Sequence, residues 1–401
     1  MQIPRTVPVV AVLTAIAVLS GCSSAPDAPP ADDEPGGHGY VEGAAEMPEP
    51  QLGIVMVDDA GEVSLLDLVT QDRSSIGQVD EPERVVDNGR FVFIQTAGAV
   101  TIVDSGRWTV PHGDHFHYYS AASRVVGSVE GELAGAVSSA SKVALNFVDG
   151  TAVILDIEAL GAGEVDELSS LDGLGERGVA APLGDSLVAT AQDDGEQVVA
   201  VLDATGAASD APTVPCAPTG AATVTNVGVV IGCGAGAVLA TEADGVVMLE
   251  EVLYPAEYAD VPPAKQFGAR IGRPTVAALA GDRGFWLLDT REREWSFTET
   301  AEPLADVTAI DDAHEMVVAV DAAGSIMTFD GTSGEMLAQS SAPELAESVT
   351  DASVQISTDA SRAYVADPAG GRILEIDFAD DARVARELDA PQVRFAAEVG
   401  L

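Results

Sequence analysis

The sequence predicts an all-β protein, a β-propeller of four-stranded antiparallel sheets, and three observations carry that expectation. A hairpin pattern recurs eight times, Gly (40) and Pro (22) are dense enough among 401 residues for many turns, and long helical periodicity is absent. An apolar content of 47% supplies a sizeable core, which excludes a wholly disordered chain.

The recurring unit is a short run of Val, Ile, Leu or Ala, a turn with Gly and usually Asp, and a second apolar run that often ends in Asp. Its copies are Gly53 to Asp67, Phe91 to Asp104, Val143 to Asp156, Leu187 to Asp203, Val227 to Thr241, Val276 to Asp289, Met316 to Asp330 and Ala363 to Asp377. They recur about every 44 residues, room for four short strands and their turns, and the continuous apolar runs suit strands covered on both faces. Eight blades are expected, with seven as the alternative. Single helical turns are expected at 164–171 and 342–349. Asp-Asp-x-Gly turns such as Asp58 to Gly61 lack the ligand spacing of a calcium loop, and Asp before Gly is what tight turns require.

The chain opens with one cation, Arg5, then an apolar run from Val7 to Leu19 and the ending Leu19-Ser20-Gly21-Cys22. The run is too short for a retained membrane-spanning helix. Its ending resembles the lipobox of bacterial lipoproteins, which implies a signal peptide over 1–21 and lipid on Cys22, with the protein held at the extracytoplasmic face of the cell membrane. Residues 22–50 are rich in Pro, Gly, Ala and acids without apolar periodicity and read as a disordered tether, leaving 51–401 as the propeller domain. Export favours a disulfide between Cys216 and Cys233, although two buried thiols remain the other reading.

Lys plus Arg number 19 against 65 Asp plus Glu, a net charge of −46 that repels nucleic-acid backbones and suits cations or simple solubility. Three of the five histidines fall within six residues, in Pro111-His112-Gly113-Asp114-His115-Phe116-His117-Tyr118-Tyr119. On an extended segment His115, His117 and Tyr119 share one face, so two imidazoles converge, with His112 as a third ligand and Asp114 as a fourth ligand or an acceptor behind one. The residues alone leave two readings open, a zinc site or polar residues on a propeller loop. His38 lies in the acidic tether, as a metal relay or a solvated side chain, and His314 reads as a surface residue.

The stretch His112 to Tyr119 resembles the AztD-like zinc metallochaperone family, extracytoplasmic β-propellers associated with zinc ABC transporters. Looser likenesses are His38 to Ala44, Gly178-Val179-Ala180-Ala181-Pro182, and Cys216 with Cys233-Gly234. The resemblance implies zinc as cargo and the transporter's solute-binding protein as partner. Relatives carry a histidine before the Gly-Val-Ala-x-Pro stretch and another three residues after the first cysteine, where this chain has Arg177 and Thr219. A metal-free interaction scaffold is the alternative function. No nucleophile elbow, His-Glu-x-x-His or phosphate-binding glycine loop is present, so an enzyme is not expected.

Overall fold

The repeated hairpins become the middle strands of successive sheets. The computed structural model describes residues 40–112, 115–349 and 354–401, and within them eight antiparallel sheets have four strands and one has three. Gly53–Asp58 with Glu62–Asp67, and Phe91–Thr96 with Ala99–Asp104, are second and third strands of their sheets, as are the six later pairs.

The apolar runs are continuous because both faces of these strands are covered. In Phe91–Thr96, Val92 and Ile94 enter one hydrophobic cluster with the preceding sheet, while Phe91 and Phe93 enter another with the following sheet. Each of the eight clusters joins consecutive four-stranded sheets, and one of them joins the eighth to the first through Tyr364, Ile373, Ile54 and Met56. The sheets therefore form a closed ring, the arrangement of a β-propeller. Its first strands touch one another around the centre.

Closure is made by pairing the chain's last strand with its first repeat. Val393–Val399 runs antiparallel to Gly53–Asp58, with Gly53 opposite Val399 and Ile54 opposite Glu398.

Aspartates that end several of the repeats shape the turn that follows. Asp67 accepts from the backbone N–H of Val69 (2.9 Å) and Thr70 (2.7 Å), and Asp330 accepts from that of Ser333 (2.7 Å). Asp156 instead caps the helix Ile157–Ala162 through the Ala159 N–H.

The sequence reading needs two corrections, while one of its expected helical turns is found. Residues 164–171 hold the strand Glu167–Leu171 rather than a helical turn, and the helix lies earlier, behind its Asp156 cap. The second expected turn is the helix Leu345–Val349. The expected tether contains a strand, Ala45–Met47, which pairs with His115–Ser120; three residues of no marked β preference leave no sequence pattern, and the pairing comes from the partner strand. Cys22, His38 and Asp114 lie outside the described residues.

Candidate metal centre

One sheet is interrupted by an insertion that carries the histidines. After Ala99–Asp104 the chain forms a hairpin, Arg107–His112 and His115–Ser120, before returning as Arg124–Glu130, which pairs directly with Ala99–Asp104. Trp, Thr, Val, Phe and Tyr fill the hairpin and favour extended backbone. Gly106 opens it with φ 70°, and a Cβ there would stand 2.4 Å from the Ala121 carbonyl oxygen, so no side chain fits.

Several bonds hold the hairpin's base to the ring. The Thr109 N–H donates to the Leu401 carbonyl (3.2 Å), and its hydroxyl donates to that of Gly400 (2.7 Å). Arg107 donates to the Leu52 carbonyl (2.9 Å) and pairs with Asp67 (2.8 Å). The base is thus fixed, while His112 and His115 at the tip are exposed.

Register then puts the histidines on one face. His112 stands opposite His115, Val110 opposite His117, and Trp108 opposite Tyr119. Strand alternation sends Phe116 and Tyr118 to the other side, where their rings stack at 6.5 Å. On the histidine face a column of rings runs down from the site: His117 to Tyr119 at 6.4 Å, Tyr119 to Trp108 at 5.3 Å, and the Arg90 guanidinium 3.7 Å above Trp108. Tyr119 is buried, and burial first and the Glu46 charge second push its phenol upward.

The ligand atoms of His112, His115 and His117 all lie within 4.8 Å of one another. Nε2 of His115 is 3.2 Å from Nε2 of His117. Two nitrogens bound to one tetrahedral zinc at about 2.0 to 2.1 Å stand about 3.3 Å apart, so this pair is already spaced as an edge of that tetrahedron. The exposed His112 ring, 5.5 Å from that of His117, is placed to supply the third nitrogen.

Glu46 completes the arrangement from the neighbouring strand. Its Oε1 is 2.7 Å from Nδ1 of His117, so Nδ1 carries the proton and Nε2 presents its lone pair to the tip. Without metal, the short His115–His117 contact needs one hydrogen between the two Nε2 atoms. With His117 Nε2 the acceptor, His115 donates, and a metal ion held between these two nitrogens would take that hydrogen's place. The donor set among the described residues, three imidazoles with one carboxylate behind, therefore fits zinc.

Sequence reading did not find Glu46, which lies 71 residues from His117 in a segment without a pattern. It did single out Arg177 and Thr219. Arg177 is exposed with φ 57° and packs on Gly220, and Thr219 packs on Gly232 beside the disulfide-bonded Cys233. Both residues lie where first strands begin, whereas the hairpin leaves from the end of a third strand. In antiparallel sheets those are opposite ends of the ring, so neither residue belongs to the three-histidine group. Cys216 and Cys233 are joined by a disulfide with Cα atoms 5.3 Å apart. His314 is exposed on its turn, and among the described residues no other three His, Cys, Asp or Glu side chains converge as these do.

Fold and site together define a β-propeller that presents a three-histidine hairpin. Two solved structures of Citrobacter koseri AztD, one of them apo, share this fold, with TM-scores of 0.75 and 0.74 over 88% of this chain and 98% of each of theirs. Identity is 18% and 16%, and the likeness shows an AztD-like fold. No family model and no curated protein matches the chain.

Proposed function

We propose that this protein is an extracytoplasmic zinc carrier, anchored through lipid on Cys22, that hands its ion to the solute-binding protein of a zinc ABC transporter. The observation that carries the reading is the hairpin tip: His115 and His117 nitrogens at tetrahedral spacing, His112 beside them, and Glu46 fixing the tautomer of His117. Exposure suits transfer, because an acceptor's ligands can reach a metal at the hairpin tip from solvent. The role is binding and delivery rather than catalysis. We read each four-stranded sheet as one blade, eight in all.

Calorimetry with zinc on the metal-free protein lacking residues 1–22, at neutral pH, tests the binding. Saturable uptake of one equivalent is expected, lost when His115 and His117 are both replaced by Ala. No saturable binding by the unmodified protein overturns the carrier reading in favour of a metal-free scaffold. Unprocessed accumulation of Cys22→Ser tests the anchor, and normal processing of that variant overturns it.

A further inference from the structure

The strand that closes the ring buries an acid with no donor. Glu398 is 1% exposed and neither of its carboxylate oxygens meets an N–H or hydroxyl donor among the described residues. It is fixed in the seam between the first and last sheets, because its own N–H meets Ser357 Oγ at 3.4 Å and Ile54 stands opposite it. Asp359, two residues beyond Ser357 and 7% exposed, comes close enough to share a hydrogen bond with it. Its Oδ1 already receives the N–H groups of Ser361 (2.5 Å) and Arg362 (2.8 Å).

The other charged groups around the seam do not relieve this pair. Asp87 and Glu375 add negative charge, and Tyr364 is a neutral phenol in the same field. Arg386 is held by Glu375 and the Leu68 carbonyl, and Arg362 by Glu375 and Asp377. Arg270, which faces Asp359, is spent on the Ile310 and Asp311 carbonyls. Two buried acceptors in contact need a hydrogen or a cation between them. A multivalent ion would gather three or more ligands, and the only such group among the described residues is the histidine one.

We propose that Glu398 and Asp359 share a single proton, which makes closure of the ring by its last strand a proton-dependent lock. Burial first and the Asp359 charge second hold the Glu398 carboxyl well above its ordinary value, consistent with that proton staying in place. Because the folded form holds the proton more tightly than the unfolded form, the stabilisation is complete below the range of a free glutamate. It is lost as pH rises toward the folded value.

The test is urea unfolding of the wild-type protein and Glu398→Gln, whose amide imitates the protonated acid, at intervals from pH 4 to pH 8. The ratio of their unfolding constants is expected to stay constant near pH 4 and then to move in favour of the variant by up to tenfold per pH unit. Parallel profiles, or a variant equally destabilised at every pH, overturn the proposal. Carbon NMR of the wild-type side chain reads the proton directly, including where the variant does not fold. A Glu398 carboxyl signal still in its protonated position at pH 6 supports the lock, and one fully ionised by pH 5 overturns it.

Discussion

Nδ1 of His117 lies 2.7 Å from Oε1 of Glu46, although the two residues are 71 positions apart. The contact depends on a three-residue strand laid along the histidine hairpin, and it decides which nitrogen of the imidazole can meet a metal.

Glu46 is therefore expected to tune affinity without holding the fold. Its side chain is 55% exposed, so Glu46→Ala should leave the thermal midpoint nearly unchanged while weakening zinc binding by about 10- to 100-fold. Competition against a chelator of known affinity measures this, and unaltered binding would place the carboxylate outside the site's chemistry.

Trp108 should report on loading. It stacks on Tyr119, which stacks on His117, whereas Trp286 and Trp295 pack together in a cluster between two other sheets. Zinc should change the emission of the wild-type protein, and Trp108→Phe should abolish most of that change while retaining binding by calorimetry. A zinc response of equal size in the variant contradicts the stack as the path of the signal.

Residues at the other end of the ring should not matter to the hairpin. Arg177→His is expected to leave the affinity of the three-histidine site within about twofold of the original, since the two lie at opposite strand ends. Replacing Cys216 and Cys233 by Ser should cost about 2 to 4 kcal/mol in stability and leave zinc stoichiometry intact. Thermal melts paired with zinc titration check both, and a large affinity change in either variant contradicts the separation.

Asp306 links pH to the contact between the seventh and eighth sheets. It accepts from the backbone N–H of Val307 (2.9 Å) and Ile356 (2.8 Å), and burial pushes its carboxyl up to about 6. The folded state thus binds the proton more tightly than the unfolded chain, so the stabilisation is full below about pH 4 and is lost as pH rises through about 6. Asp306→Asn loses one acceptor at every pH but escapes the ionisation. Its urea penalty should be larger at pH 4.5 than at pH 7.5, and the reverse order contradicts the assignment.

Much of the ring was legible because burial on both faces writes itself into composition. A run such as Phe91 to Ile94 must be apolar without a break, and Asp104 or Asp330 must follow to turn the chain, so the hairpins repeat visibly. The facing of His115 and His117 was legible too, since two-residue alternation needs only an extended backbone. What escaped depends on distant partners. Ala45–Met47 is a strand only because His115–Ser120 offers an edge, Glu167–Leu171 is one only because Ala152–Asp156 does, and Glu46 gains its role from the first of these. The distance between Arg177 and the histidines was hidden for the same reason, because strand direction around a ring is not written in local spacing.

Arg124–Glu130 completes its sheet by pairing with Ala99–Asp104, as though the hairpin between them were not there. The ligand-bearing element is in that sense a graft: a short turn from Asp104 to Arg124 would join the same two strands. Shortening the chain in that way separates the framework from its three clustered histidines, and the reverse operation offers a portable histidine clasp for other rings whose third and fourth strands meet side by side. Such a transplant must bring a counterpart of Ala45–Met47 with it, because the carboxylate that orients the clasp is not carried on the graft.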